Sequence, residues 1–288
     1  MFLCDQWRDY EVLDTGDGEK LERWKNVILR RPDPQVIWPK ANPERWEKAD
    51  AHYTRSETGG GSWAFAHTLP ERWVMTLGDL KFYVRPTGFK HTGLFPEQAA
   101  NWAFMRERIA GAVARGQNVK VLNLFAYTGG ATLACAAAGA HVTHVDAAKG
   151  MVQWAKENRD LSGIPEERTR FIVEDAKAFV QRELRRGNRY DGILMDPPSY
   201  GRGPGGEVWK LEDELYGLVE LCAQALSDTP VFFLINGYTT GFAASVLGNI
   251  AARCMGGRGH VESGELALTV TSGGVLPCGA TARWTPDV

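Results

Sequence analysis

The chain has 288 residues, 44% hydrophobic and 24% charged, with a net charge of −2. That composition excludes a disordered or low-complexity chain and has room for one large domain beside a smaller one. The even charge balance excludes a uniformly basic nucleic-acid binder; what remains is either a local basic surface from Lys20, Arg23, Lys25, Arg30, Arg31 and Lys40 or an ordinary mixed surface.

No apolar run approaches the roughly 18 residues of a bilayer span, and Met1-Phe2-Leu3-Cys4-Asp5-Gln6 lacks the order of a signal peptide, so a soluble, cytoplasmic, non-membrane protein is expected. Five scattered cysteines without paired metal spacing fit a reducing compartment and no metal site.

Residues 1–88 read as short strands between the turn signals Gly16-Asp17-Gly18, Arg31-Pro32-Asp33-Pro34, Gly59-Gly60-Gly61 and Pro86-Thr87-Gly88, a small β-rich domain. Trp7, Trp24, Trp38, Trp46, Trp63 and Trp73 fall in it, as core or as a base-stacking surface. From Pro96, apolar spacing through Ala100, Phe104, Ile109 and Val113 predicts a helix opening the second domain, 89–288.

There the elements alternate. Strands are predicted at 119–125, 141–146, 169–173, 190–195 and 231–235, and helices at 131–138, 149–161, 176–186, 211–226 and 242–254. A closing pair, 265–270 and 280–284, flanks Gly273-Gly274 and Pro277 and reads as a hairpin. This order predicts an α/β fold with a mostly parallel sheet, helices on both faces, and ligands at the carboxyl ends of the strands.

Three strand ends carry the candidate chemistry. The turn Asn123-Leu124-Phe125-Ala126-Tyr127-Thr128-Gly129-Gly130 places two glycines where backbone passes close to a ligand, although neither GxGxxG nor a phosphate loop is present. Asp146, ending the second strand, suits the two hydroxyls of a ribose, and Asp175, after the third, suits an adenine amino group; the alternative for each acid is a helix N-cap.

The fourth strand delivers Asp196-Pro197-Pro198-Ser199-Tyr200. Its prolines remove two N–H donors, so the Asp196 carboxylate and Pro197 carbonyl can act as paired acceptors for an amino group, with Tyr200 stacking on a planar base. The alternative is a plain strand-ending turn. The glycine-rich stretch 201–210 can close over that acceptor, with Arg202 and Lys210 meeting phosphate or solvent.

With these residues in hand, the chain resembles the class I S-adenosylmethionine (SAM) dependent methyltransferases, in the branch of bacterial large-subunit ribosomal RNA base methyltransferases. The carriers are NLFAYTGGAT at 123–132, HVDAAKG at 144–150, EDA at 174–176, DPPSY at 196–200 and HTGLFPEQ at 91–98. The resemblance implies a Rossmann-like seven-stranded sheet with a reversed last strand, SAM as cofactor, and a small N-terminal region that helps recognise substrate. It sets the cofactor contacts at Asn123, Phe125, Ala126, Tyr127, Thr128, Gly129, Gly130, Asp146, Asp175 and Asp196. Asp196, Pro197 and Tyr200 form the catalytic set, and Pro198, Ser199, Tyr200, Arg202 and Lys210 the substrate contacts.

Relatives that methylate carbon 5 of cytosine need a cysteine nucleophile after the fifth strand. Here that position reads Leu234-Ile235-Asn236-Gly237-Tyr238, so a base nitrogen of RNA is the expected acceptor. Carbon methylation through Cys278, and a protein or small-molecule acceptor, are the alternatives.

Overall fold

The structure is a computed structural model that describes residues 1–56, 60–202, 208–239 and 241–287; the Arg202 side chain and the predicted turn at Gly59 lie outside the described residues. The chain divides into two compact units, one of Phe2–Ala99 with Ala267–Cys278, the other of Ala100–Leu266 with Gly279–Val288 and Met1.

In the smaller unit, strands Tyr10–Gly16, Glu19–Trp24, Val27–Pro32, Ala51–Arg55 and Gly61–Phe65 lie in that order in one sheet, and Trp73–Leu77 pairs with Leu80–Val84. Asp17 and Gly18, both at positive φ, close the first hairpin as a primed turn requires. The tryptophans divide: Trp24 and Trp46 are buried core, with Tyr10 edge-on to Trp24 at 4.8 Å, whereas Trp38 is partly exposed. Glu22 is fully buried, yet its carboxylate sits at 2.6 and 2.8 Å from the Arg31 guanidinium and accepts from the Tyr10 hydroxyl at 2.6 Å. Burial acts to raise its pKa, and Arg31 and Lys20 overcome this to hold it at about 2.

The larger unit follows the predicted alternation. Its helices are α1 (Ala99–Ala114), α2 (Gly130–Ala137), α3 (Lys149–Leu161), α4 (Ala176–Arg185), α5 (Leu211–Ala223) and α6 (Ala244–Cys254). Its strands are β1 (Lys120–Leu124), β2 (His141–Asp146), β3 (Thr169–Val173), β4 (Gly192–Met195), β5 (Phe232–Gly237), β6 (His260–Thr269) and β7 (Val275–Thr285), in the spatial order β6-β7-β5-β4-β1-β2-β3. The five from β1 to β5 are parallel, and β7 runs antiparallel to β5.

Every residue of β4 and β5 is buried, which is why both read as unbroken apolar runs: a parallel strand is covered by helices on both faces. α5 buries Leu211, Leu215, Leu218, Val219 and Cys222, one helical stripe, against this sheet. Each such side chain stabilises the fold by roughly 1.5–3 kcal/mol. Gly192 has no alternative residue, since a Cβ there would meet the Phe232 ring on the paired strand at 2.5 Å.

β1 and β4 are neighbours although the chain leaves the sheet in opposite directions from them, so the crevice outside their carboxyl ends is the topological switch point. Two predicted boundaries shift. The closing strands extend well beyond 265–270 and 280–284, and Pro277 lies inside β7 rather than in the turn. Pairing with β5 ends at Ala280, so the missing N–H of Pro277 breaks no ladder bond to β5.

Candidate functional site

The turn leaving β1 is strained. Phe125 at φ 55 and Tyr127 at φ 51 occupy the left-handed region without being glycine, followed by Gly129 at φ 88. Such residues cost about 1–3 kcal/mol each and persist only where the surroundings hold them.

Here they are held from several sides. The Ala126 amide donates to the Val145 carbonyl at 3.1 Å, the Tyr127 amide to the Asp146 carboxylate at 2.8 Å, and the buried Asn158 side chain of α3 to the Thr128 carbonyl at 2.9 Å. Beneath the turn, the Asn123 amide donates to the Thr132 hydroxyl at 2.9 Å, and that hydroxyl lies 2.9 Å from His144 Nδ1. Gly130 opens α2 against Trp102, where any Cβ would collide with the indole. Asn123, expected to touch the cofactor, therefore has its side chain buried below the turn as a support.

The Thr132 hydroxyl thus bridges Asn123 and the buried His144 ring. Burial pushes the His144 pKa down to about 3. An imidazole depressed in the folded state gains a proton on unfolding, so stability is lost as pH falls below its ordinary 6.5 and onward through 3. The expected loss attributable to this residue is roughly 2 kcal/mol between pH 6.5 and pH 5, at about 1.4 kcal/mol per pH unit. Urea unfolding across that range measures it, and the slope should flatten by this amount in a His144→Gln variant.

Asp146, half-buried at the end of β2, accepts the Tyr127 amide on one oxygen and the Ala148 amide on the other, both at 2.8 Å. Burial raises its pKa above the ordinary carboxylate value, against the pull of those two bonds. Each oxygen keeps a second lone pair, so the oriented carboxylate can still accept two hydroxyls. Asp175 follows the neighbouring strand end, where Asp146 pairs with Val173; it is exposed and caps α4 by accepting the Ala178 amide at 2.9 Å. The helix-cap reading of Asp175 thus holds in the structure, at a position that still faces the same edge.

The register sets the acceptor segment beside the cofactor turn. Met195 pairs with Leu124 on one side and Ile235 on the other, so Asp196 leaves β4 level with Phe125 and Asn236. Neighbouring strands lie about 4.8 Å apart. Asn236 donates to the Asp196 carboxylate at 2.8 Å from a fully buried position. Pro197 is buried, while Pro198, Ser199 and Tyr200 are exposed, Tyr200 to 54%.

Within the glycine-rich stretch, Tyr200–Arg202 then pairs antiparallel with Val208–Lys210; residues 203–207 lie outside the described residues. Trp209 returns from that hairpin, donates its indole N–H to the Pro198 carbonyl at 2.6 Å and packs on Phe125 with ring centroids 5.4 Å apart. The Ser199 carbonyl accepts from the Leu211 amide at 3.1 Å, and the Ser199 hydroxyl lies 2.6 Å from that of Thr239. Lys210 is exposed and precedes α5.

The structure therefore gathers the turn 123–130, Asp146, Asp175 and the segment 196–200 at one sheet edge. Sequence reasoning missed four residues that hold them: Asn158, Thr132, Asn236 and Trp209. Asn236 had a visible signal, a polar side chain ending the apolar run Val231–Ile235. The HTGLFPEQ run belongs to the smaller unit. There His91 lies 5.1 Å from the Phe95 ring, and burial, then Arg31 and Lys90, lowers its pKa to about 4, so it is neutral.

Among the described residues, no helix is long and apolar enough to cross a membrane. The family model for S-adenosylmethionine-dependent methyltransferases matches residues 48–220. A crystal structure of a SAM-dependent methyltransferase from Agrobacterium tumefaciens is 39% identical, with 99% of this chain and 93% of that chain covered and a TM-score of 0.94. A methyltransferase-like protein crystallised with S-adenosylhomocysteine (SAH) shares the fold at 17% identity, covering 98% of this chain and 76% of that one with a TM-score of 0.69.

Among curated relatives, the ribosomal RNA large subunit methyltransferase K of Neisseria meningitidis serogroup B is 30% identical over 231 residues, 77% of this chain and 63% of that protein. The ribosomal RNA large subunit methyltransferase K/L of Shewanella frigidimarina is 33% identical over 147 residues, 49% of this chain and 19% of that protein. The chain spans less than two thirds of the length of these curated relatives. Its Rossmann-like sheet, its strained turn and the match over 48–220 carry one conclusion: the chain belongs to the S-adenosylmethionine-dependent methyltransferase family.

Proposed function

We propose that this protein transfers a methyl group from SAM to a base nitrogen of ribosomal RNA in the cytoplasm, and that residues 89–288 carry the transfer while residues 1–88 help recognise the RNA. The observation that carries the reading is the Asp196 carboxylate, fixed by Asn236 at the level of the cofactor turn.

The residues present fit SAM. The turn is held in a conformation that lets backbone approach a ligand, and Asp146 offers two oriented acceptor oxygens where a ribose needs them. Ala126, Tyr127, Thr128, Gly129 and Gly130 would line the methionine end, and Asp175 the adenine. When bound, SAM supplies an electrophilic methyl on sulfur. Asp196 and the Pro197 carbonyl then each accept one N–H of an exocyclic amine, so its lone pair points at the methyl carbon. Held that way, the amine would take the methyl group that bound SAM supplies, and Asp196 is placed to accept the proton that the nitrogen then loses. Tyr200, whose ring is exposed, stacks on the base, and the exposed Lys210 meets phosphate.

The names of the Neisseria and Shewanella relatives support RNA as acceptor. Nucleoside mass spectrometry of large-subunit RNA from a deletion strain tests it: one methylated nucleoside should be missing and should return with the wild-type gene. An unchanged profile overturns the reading.

Carbon methylation through Cys278 is disfavoured by the thiol itself. Burial, then Glu97, pushes its pKa well above the ordinary value, and carbon attack needs the thiolate. A Cys278→Ser variant should therefore keep transfer within about twofold of wild type, where a covalent nucleophile would cost at least ~1000-fold.

A further inference from the structure

Trp209 touches both halves of the site. Its indole N–H donates to the Pro198 carbonyl at 2.6 Å, inside the acceptor segment. Its ring packs at 5.4 Å and 51° on Phe125, the first left-handed residue of the cofactor turn. Phe125 leaves β1 and Pro198 follows β4, two strands whose pairing runs up to Leu124 and Met195. Beyond those residues, Trp209 contacts both segments.

Its mounting is rigid. Gly201 and Trp209 are paired across the hairpin, and two residues later Leu211 begins α5, donates its amide to the Ser199 carbonyl and is itself buried in the core with Leu215 and Leu218. A side chain carried by a strand that runs straight into a packed helix keeps one rotamer, which is what a group that sets geometry requires. The cofactor turn, by contrast, is strained and depends on its neighbours for its shape.

We propose that Trp209 is a positioning residue that couples the two: cofactor bound at the turn fixes Phe125, Phe125 fixes the indole, and the indole N–H fixes the Pro198 carbonyl and with it the direction of the Pro197 carbonyl and Asp196 carboxylate. Filling the cofactor site thereby orders the acceptor site before the acceptor arrives. A misplacement of about 1 Å at such a pair reduces transfer by roughly 100-fold without removing any reacting group.

The test uses Trp209→Phe, which keeps a ring against Phe125 and removes only the N–H, and Trp209→Leu, which removes both contacts. The first readout needs no acceptor. Hydrogen exchange with and without SAH should show the wild-type chain protected by SAH both over 124–132 and over the amides of Asp196, Ser199 and Tyr200. In Trp209→Phe the first protection should remain and the second should disappear, with the SAH dissociation constant within about threefold of wild type. The second readout rests on the RNA reading: single-turnover transfer to large-subunit RNA from the deletion strain should fall about tenfold in Trp209→Phe and about 100-fold in Trp209→Leu, as a loss in kcat and not in the KM for SAM.

Unchanged SAH-dependent protection of 196–200 in Trp209→Phe overturns the proposal. So does a loss of SAH binding in that variant equal to its loss of transfer, because that is the signature of a merely structural residue. If wild-type chain fails to methylate the RNA but the exchange pattern is as expected, the RNA reading falls and the coupling stands.

Discussion

Replacing Asp196 by Ala stops methyl transfer: single-turnover rates on large-subunit RNA from a deletion strain fall by at least about 1000-fold, equivalent to about 4 kcal/mol of barrier. The magnitude follows from what the carboxylate does in the proposed reaction. It is one of two acceptors that turn the amine lone pair toward the methyl carbon, and the one able to take the proton as positive charge develops on nitrogen.

The Ala variant also damages its surroundings, since Asn236 is fully buried and its amide N–H would lose its acceptor, a cost of about 1–3 kcal/mol in stability. Asp196→Asn separates the two effects. It keeps the volume but can present an NH2 to the incoming amine in place of an oxygen, so transfer should fall by about 100–1000-fold while the chain stays folded. The thermal midpoint of both variants and SAH binding by calorimetry complete the measurement. Transfer within tenfold of wild type in Asp196→Asn, with SAH still bound, would remove Asp196 from the acceptor site.

How much of this was legible beforehand depended on which forces are local. β4 and most of β5 were visible because a strand covered on both faces is largely apolar, and the observed bounds of β1 to β5 differ from the expected ones by only a few residues. α4 and α5 were visible for the complementary reason, a one-sided apolar stripe. Asp146 and Asp196 stood out as charges ending apolar runs.

What the chain did not disclose is whatever requires register. That Asn236 reaches Asp196 depends on Met195 lying opposite Ile235, and side-chain partners across neighbouring strands have no sequence spacing. The hairpin at Tyr200–Lys210 was hidden for another reason: its sequence is that of a glycine-rich loop, and the residues leading into it, Pro198 and Ser199, are held by Trp209 and Leu211 from the other strand and the helix after it. Phe125 and Tyr127 are the sharpest case. Local preference places glycine or asparagine at positive φ, and here hydrogen bonds from β2, Asp146 and α3 hold a turn that carries aromatic residues there.

Asp146→Asn weakens SAH binding by about 100-fold, or about 2.7 kcal/mol, while leaving the unfolding free energy of the unliganded chain within about 1 kcal/mol of wild type. The two halves of this expectation come from the same observation. Asp146 is half-buried, and burial raises its pKa above that of a free carboxylate even though two backbone amides donate to it at 2.8 Å.

A carboxyl group whose folded pKa is raised binds its proton more tightly in the folded state, so above that pKa the ionised form costs stability, and lowering the pH through it relieves the cost. Asparagine removes the charge and with it that cost. Against this stands the loss of one acceptor, because an amide presents an oxygen to only one of Tyr127 and Ala148. The two terms oppose each other, which is why the unliganded chain should change little. Nothing offsets the loss in the complex, where a ribose with two hydroxyls needs both oriented oxygens and gains most from a charged acceptor.

The same reasoning gives the pH dependence. SAH affinity of the wild-type chain should decline as pH falls toward the raised pKa of Asp146, and this decline should be missing in Asp146→Asn. Calorimetric titration with SAH at several pH values, alongside urea unfolding of both proteins, reads both halves. A variant that binds SAH as wild type does, or that loses stability and affinity in equal measure, would take the ribose away from Asp146 and leave it as a structural brace of the turn.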